Sequence, residues 1–181
     1  MKALLLIDIQ NDYFPGGRME LFGSEAAGLN AGKLLDAFRK NNLPVFHIQH
    51  ISTRPTATFF LPHTEGVNIH KSVTPLQGEA VIQKNYPNAF RETNLLEQLR
   101  QAGIKNPVVA GMMTQMCVDT TIRAAADLGF ACQLAHDACA TRDMTFAGRT
   151  VAAADVQTAF MAALNGLFAE VLDTETLCRG L

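Results

Sequence analysis

Apolar and polar positions alternate in blocks that predict strands and helices in turn. Ala3–Ile7 is a continuous apolar run ending at Asp8, the pattern of a strand buried on both faces. Ser24 to Asn42 carries Ala27, Leu34, Leu35 and Phe38 at helical spacing, with Ser24 as N-cap. Pro44–Gln49 predicts a second strand and Glu79–Gln83 a third, with Lys84 at its end. Thr93–Gly103 predicts a helix capped by Thr93 and stopped by Gly103. Val108–Ala110 is a fourth strand, which turns at Gly111 and re-enters regular structure as a helix at Cys117, stopped by Gly129. Ala131–Ala135 is a fifth strand, and Phe146 to Leu164 is read as largely helical, broken near Gly148. Ala169–Leu172 closes the strand set, and Thr174–Cys178 is a short last helix.

Strands alternating with helices imply an α/β fold, three layers with a six-stranded parallel sheet. The doubly wound order 3-2-1-4-5-6 makes strands one and four neighbours at the switch point, where ligands collect at the carboxyl edge. Asp8 and Cys117 then face each other across that crevice. Lys84 lies two strands from Asp8, roughly 10 Å, a gap that a long side chain can close. At a helix start, unpartnered N–H groups and the helix dipole would lower the Cys117 thiol pKa. A buried structural cysteine is the competing reading.

Between His50 and Gly78 nothing is strongly periodic. A structureless stretch this long in a compact domain serves more often as a lid or binding loop than as filler. It holds Arg54, a candidate anchor for an anionic substrate, and the apolar knot Phe59-Phe60-Leu61. Tyr13, Phe14, Phe59, Phe90 and Met116 are candidate pocket walls, with ordinary core packing as the alternative for each. His50, His63 and His70 invite a zinc reading, but their spacing matches no helical His pair and no cysteine lies near, so no metal is expected. Asp137, after the fifth strand, is read as a turn cap.

Composition narrows the function classes. The 181 residues suit one domain spanning 1–181, with no repeat or linker. A net charge of −2 gives no basic footprint for nucleic acid and no polybasic patch for a membrane. The apolar start MKALLLIDIQ is too short to span a bilayer and lacks a small-residue cleavage site. Four cysteines without metal-type spacing are expected to be free thiols in a reducing cytoplasm.

Three stretches carry a resemblance: LLLIDIQNDYF, VIQKNYPNAF and GMMTQMCVDTTIRAAADLG. In this order and at these separations the chain resembles the isochorismatase-like cysteine hydrolases. Nicotinamidases, N-carbamoylsarcosine amidases and streptothricin-hydrolase-like proteins belong to that superfamily. The resemblance implies a catalytic triad of Asp8, Lys84 and Cys117. It also implies a cis peptide between Met112 and Met113, and an oxyanion hole made by the N–H groups of Met113 and Cys117. It implies a small-molecule substrate, no cofactor, and a homo-oligomer, dimer or tetramer. Nicotinamidases carry an Asp-x-His metal motif after the second strand, where this chain has Gln49-His50-Ile51. A retained thiol favours hydrolysis of a non-peptide amide C–N bond through a Cys117 thioester. The alternatives are isochorismatase-type vinyl ether hydrolysis and a binding protein without turnover.

Overall fold

A computed structural model describes residues 1–181. Six strands form one parallel sheet: β1 (Lys2–Ile7), β2 (Val45–His50), β3 (Ala80–Lys84), β4 (Asn106–Met112), β5 (Cys132–Ala140) and β8 (Ala169–Leu172). Their order is β3-β2-β1-β4-β5-β8, the doubly wound order anticipated from the strand pattern. β1 pairs with β2 from Leu4 to Ile7 and with β4 from Lys2 to Ile7, so Asp8 leaves the sheet at its centre.

Alternation along β1 divides the core. Leu4 and Leu6 pack on the side of helix α1 (Ser24–Lys40), with Leu34, Leu35 and Phe38. Ala3, Leu5 and Ile7 pack on the opposite side, with Leu95 and Leu99 of α2 (Leu95–Gln101), Val118, Ile122 and Ala125 of the α3 (Asp119–Asp127) region, and Met161 and Leu164 of α4 (Ala153–Leu164). Successive side chains of a strand point to opposite faces, so a run apolar at every position needs cover on both. No helix is long and apolar enough to cross a membrane.

Several boundaries differ from the sequence pattern. Met144–Phe146 (β6) and Arg149–Val151 (β7) form an antiparallel hairpin, and α4 begins only at Ala153. Ala147 and Gly148 both take positive φ, 49° and 74°, as a two-residue hairpin turn requires. Asp143 Oδ1 then accepts from the Ala153 N–H and starts α4 beyond the hairpin. The helix predicted from Cys117 starts at Asp119, after a π-helical turn over Thr114–Val118. Ser24 is not a capping side chain; Gly23, with φ 73°, occupies the cap position. Nor does Thr93 hold the cap position of α2, which falls on Asn94; Thr93, one residue earlier, accepts from the Leu95 N–H. Asp137 caps no following turn: it lies within β5, and its Oδ1 accepts from the N–H and hydroxyl of Thr174, at the start of α5 (Thr174–Arg179).

Candidate active site

Asp8, Lys84 and Cys117 meet at the carboxyl ends of β1, β3 and β4, all buried. Lys84 spans β2 from below: its Nζ lies 2.7 Å from Asp8 Oδ2 and 3.3 Å from Cys117 Sγ. It donates as well to the Tyr86 carbonyl at 3.0 Å and contacts His50 Nδ1 at 2.9 Å. A buried ammonium is tolerated only when such partners replace its water. Burial works against its charge, but Asp8 and Cys117 outweigh that and hold its pKa above the usual lysine value.

Asp8 adopts φ 52°, a left-handed conformation uncommon outside glycine and asparagine. This turns its carboxylate from the strand direction into the crevice. Oδ1 is buried without a hydrogen-bond partner, an acceptor left open at the site. Gly111 at the end of β4 is needed beside it: at φ 150°, a Cβ there would overlap the Ile7 carbonyl oxygen.

The Met112–Met113 peptide is cis. Thr114 anchors the following turn: its hydroxyl donates to Gln157 Oε1 at 2.7 Å and lies 3.2 Å from the Ala140 carbonyl oxygen, and Gln115 accepts from the Thr141 hydroxyl. The Met113 N–H has no hydrogen-bond partner in the protein. Cys117 lies inside the π-turn and not at the first residue of a helix, so the expected lowering of its thiol pKa does not hold. Burial first, then the Asp8 charge, push the thiol well above its usual range, against the pull of Lys84. All four cysteines are free.

Cys117 opens into a cavity of about 330 Å³. Tyr13, Arg54, Phe59 and Met116 line it, as the sequence pattern anticipated, and residues 52–60 of the long loop form one side. Phe14 and Phe90 do not line it. Phe14 is buried against α1 and stacks on His70 with ring centroids 3.5 Å apart. Phe90 stacks on Phe130 and packs on the opposite core. Phe60, buried within 4.5 Å of the Tyr13 ring centroid, is part of the cavity wall.

Two further residues were not assigned to the site from sequence. His50 closes β2 and lines the cavity. Burial, with Lys84 and Arg54 nearby, lowers its pKa to about 4, so it is neutral near pH 7 and its Nδ1 can accept from Lys84. Arg142, just after β5, lines the cavity from the far side. Asp12 supports the loop from beneath: Oδ2 accepts from the Phe60 N–H at 2.6 Å and Oδ1 from the Arg18 N–H at 3.2 Å.

Asp8, His50 and Cys117 each place one potential ligand atom within 4.8 Å of the others. The Lys84 ammonium bonds to all three side chains, so a cation already sits among them and a divalent ion does not fit. Gln49 and Ile51 stand where the Asp-x-His pattern would put ligands, and Ile51 offers none.

Comparison with known proteins shows the family. The family model described as isochorismatase domain matches residues 2–176. The uncharacterized isochorismatase family protein YddQ of Bacillus subtilis is 51% identical over 177 residues, 98% of each chain. Nicotinamidase 3 of Arabidopsis thaliana is 31% identical over 155 residues, 78% of this chain and 74% of that one. The crystal structure of an isochorismatase from Pseudomonas putida superposes with a TM-score of 0.91 at 37% identity, covering 97% of this chain and 89% of that one. With the family matched over nearly its whole length, the chain belongs to the isochorismatase family of hydrolases.

Proposed function

We propose that the protein is a cysteine-dependent hydrolase of a small-molecule amide, acting on a non-peptide C–N bond without a metal. The observation that carries this is the buried group of thiol, carboxylate and ammonium at the floor of the cavity. A nicotinamidase among the relatives supports amide chemistry over ether chemistry.

In this reading Asp8 is the base and Cys117 the nucleophile. The resting thiol gives its proton to Asp8 as the sulfur attacks the amide carbonyl carbon. The open Oδ1 is the acceptor in reach of that proton. Lys84 balances the negative charge that passes from carboxylate to sulfur, and so keeps the transfer from creating an unpaired buried anion. The carbonyl oxygen, now an oxyanion, takes hydrogen bonds from the N–H groups of Met113 and Cys117. Each such donor is commonly worth about 3 kcal/mol in the transition state. The protonated Asp8 returns its proton to the departing amine, and the C–N bond breaks to leave a thioester. A water molecule enters, Asp8 removes its proton, and its oxygen displaces the sulfur. The acid leaves and the thiol is restored.

The test is release of ammonia or amine from a panel of small primary amides and lactams. Cys117→Ala is expected to lower turnover at least about 10³-fold, the scale of a lost nucleophile, with an unchanged thermal midpoint. A chelator is expected to leave the wild-type rate unaltered. Near-wild-type activity of Cys117→Ala would move the assignment to thiol-independent ether hydrolysis. Failure of every amide would leave a binding protein, and loss of activity with chelator would overturn the metal-free mechanism.

A further inference from the structure

Arg54 and Arg142 enter the cavity from separate segments, one from the loop after β2 and one from the end of β5. Neither has a carboxylate partner, whereas Arg39, Arg123 and Arg179 each do. The residues that line the cavity include no Asp and no Glu. Asp8, behind its floor, is already neutralised by Lys84. The wall is therefore net positive, with two guanidinium groups that nothing within the chain balances.

Other lining groups can also donate. Tyr13 lines the cavity, and its hydroxyl bonds to no protein group. That hydroxyl is free to bond a ligand or water in the cavity. His50 accepts at Nδ1 from Lys84, which leaves its ring proton on Nε2 as a donor. The cations act on these floor groups as well as on solvent: Arg142 works against the burial that raises the Tyr13 pKa, and Arg54 adds to the burial that lowers that of His50. A cavity of about 330 Å³ lies at the small end of ligand sites.

We propose that the substrate is a small amide bearing a carboxylate. Arg142 and Arg54 hold the carboxylate, the Tyr13 hydroxyl orients it, and the amide carbonyl lies over Cys117. This rests on reading the cavity as the site of an amide hydrolase. Guanidinium groups match a carboxylate in plane and in pairs, so they fix its direction as well as its charge. Holding that end would position the carbonyl for attack, binding energy spent away from the reacting bond.

The test uses matched pairs in which only the charge differs: succinamate against succinamide, and N-carbamoylglycine against N-carbamoylglycinamide. Binding to Cys117→Ala protein is measured by titration calorimetry, which needs no turnover. At least one acid is expected to bind about tenfold or more tightly than its neutral partner, the scale of one charge-assisted contact. The preference should weaken with added salt and collapse in the Arg54→Gln/Arg142→Gln background. Both arginines are exposed, so the double variant is expected to keep its circular dichroism spectrum. Equal affinities within both pairs, failure of both acids to bind, or a preference that survives the double variant would overturn the proposal. Acid-selective binding without turnover of either acid by the wild-type protein would uphold the anion site and count against the hydrolase reading, so the two failures read out separately.

Discussion

At the scale of single residues, the site depends on one lysine having three side-chain partners. His50 is the partner that titrates within reach of experiment. Its pKa falls from 6.5 to about 4 in the folded chain. Because the unfolded chain binds that proton more readily, this stability is present above pH 6.5 and is lost as pH falls towards 4 and below. Unfolding midpoints in urea should therefore drop in that window, by up to a few kcal/mol well below pH 4. His50→Gln keeps an acceptor for Lys84 and removes the titration, so its acid limb should be shallower. Wild type and variant with parallel pH profiles would refute the assignment. His47 moves in the same direction through its own burial and is common to both proteins. Asp8, Lys84 and Cys117 were readable because each closes or follows a strand, and strand ends of a parallel sheet converge on one rim. His50 closes a strand in the same way, yet its grouping with His63 and His70 drew attention to metal and away from its place on β2. Phe14 and Phe90 show the converse: an aromatic beside a turn can face either pocket or core, and no local pattern separates the two.

At the scale of elements, the irregular loop is fastened by a carboxylate that the hydrophobic pattern conceals. Asp12 is buried, and accepts from the backbone of both Phe60 and Arg18. Gly66 packs against it with no room for a Cβ. Hydrogen bonds to a charged group contribute about 1.5–3 kcal/mol each. Asp12→Ala should lower stability by about 2–4 kcal/mol, with the buried Phe60 donor stranded. It should raise KM by more than it lowers kcat, because Phe59 and Phe60 wall the cavity while the thiol group stays intact. Equal loss in both parameters, or none, would argue against the loop as a substrate-binding wall. The strands and most helices were legible from periodicity. The β6–β7 hairpin was not, because alanines on its far side merged with α4 into one apolar run. Its turn, Ala147-Gly148, lacks the asparagine or aspartate that usually marks two positive φ angles. The π-turn at Cys117 was equally hidden: a tightened or widened turn leaves the residue composition of a helix start unchanged.

At the scale of the whole molecule, the apolar surface is uneven, and we propose that it is covered by a second copy of the chain. The apolar knot at Phe59-Phe60-Leu61 is one candidate for that contact. Phe60 is buried within its own subunit and Phe59 lines the cavity, so both side chains are engaged within the chain itself. The hairpin is the better candidate. Phe146 is 87% exposed, and Val151 on the other strand is exposed as well. A two-stranded ribbon without cover is marginal in water, and an exposed phenylalanine on it gains by burial. Phe22, 74% exposed, follows the same logic; it pairs with Thr141, next to Arg142 at the cavity wall. In a two-fold dimer each such side chain is buried twice, so Phe146 alone would contribute roughly 3–6 kcal/mol per dimer. Phe146→Ser should therefore shift the molar mass by light scattering from dimer or tetramer towards monomer at micromolar concentration. The change is on an exposed turn strand, so the monomer's thermal midpoint and circular dichroism should remain close to those of the parent. A wild-type protein that is already monomeric, or a variant that stays fully assembled, would exclude the hairpin as the contact.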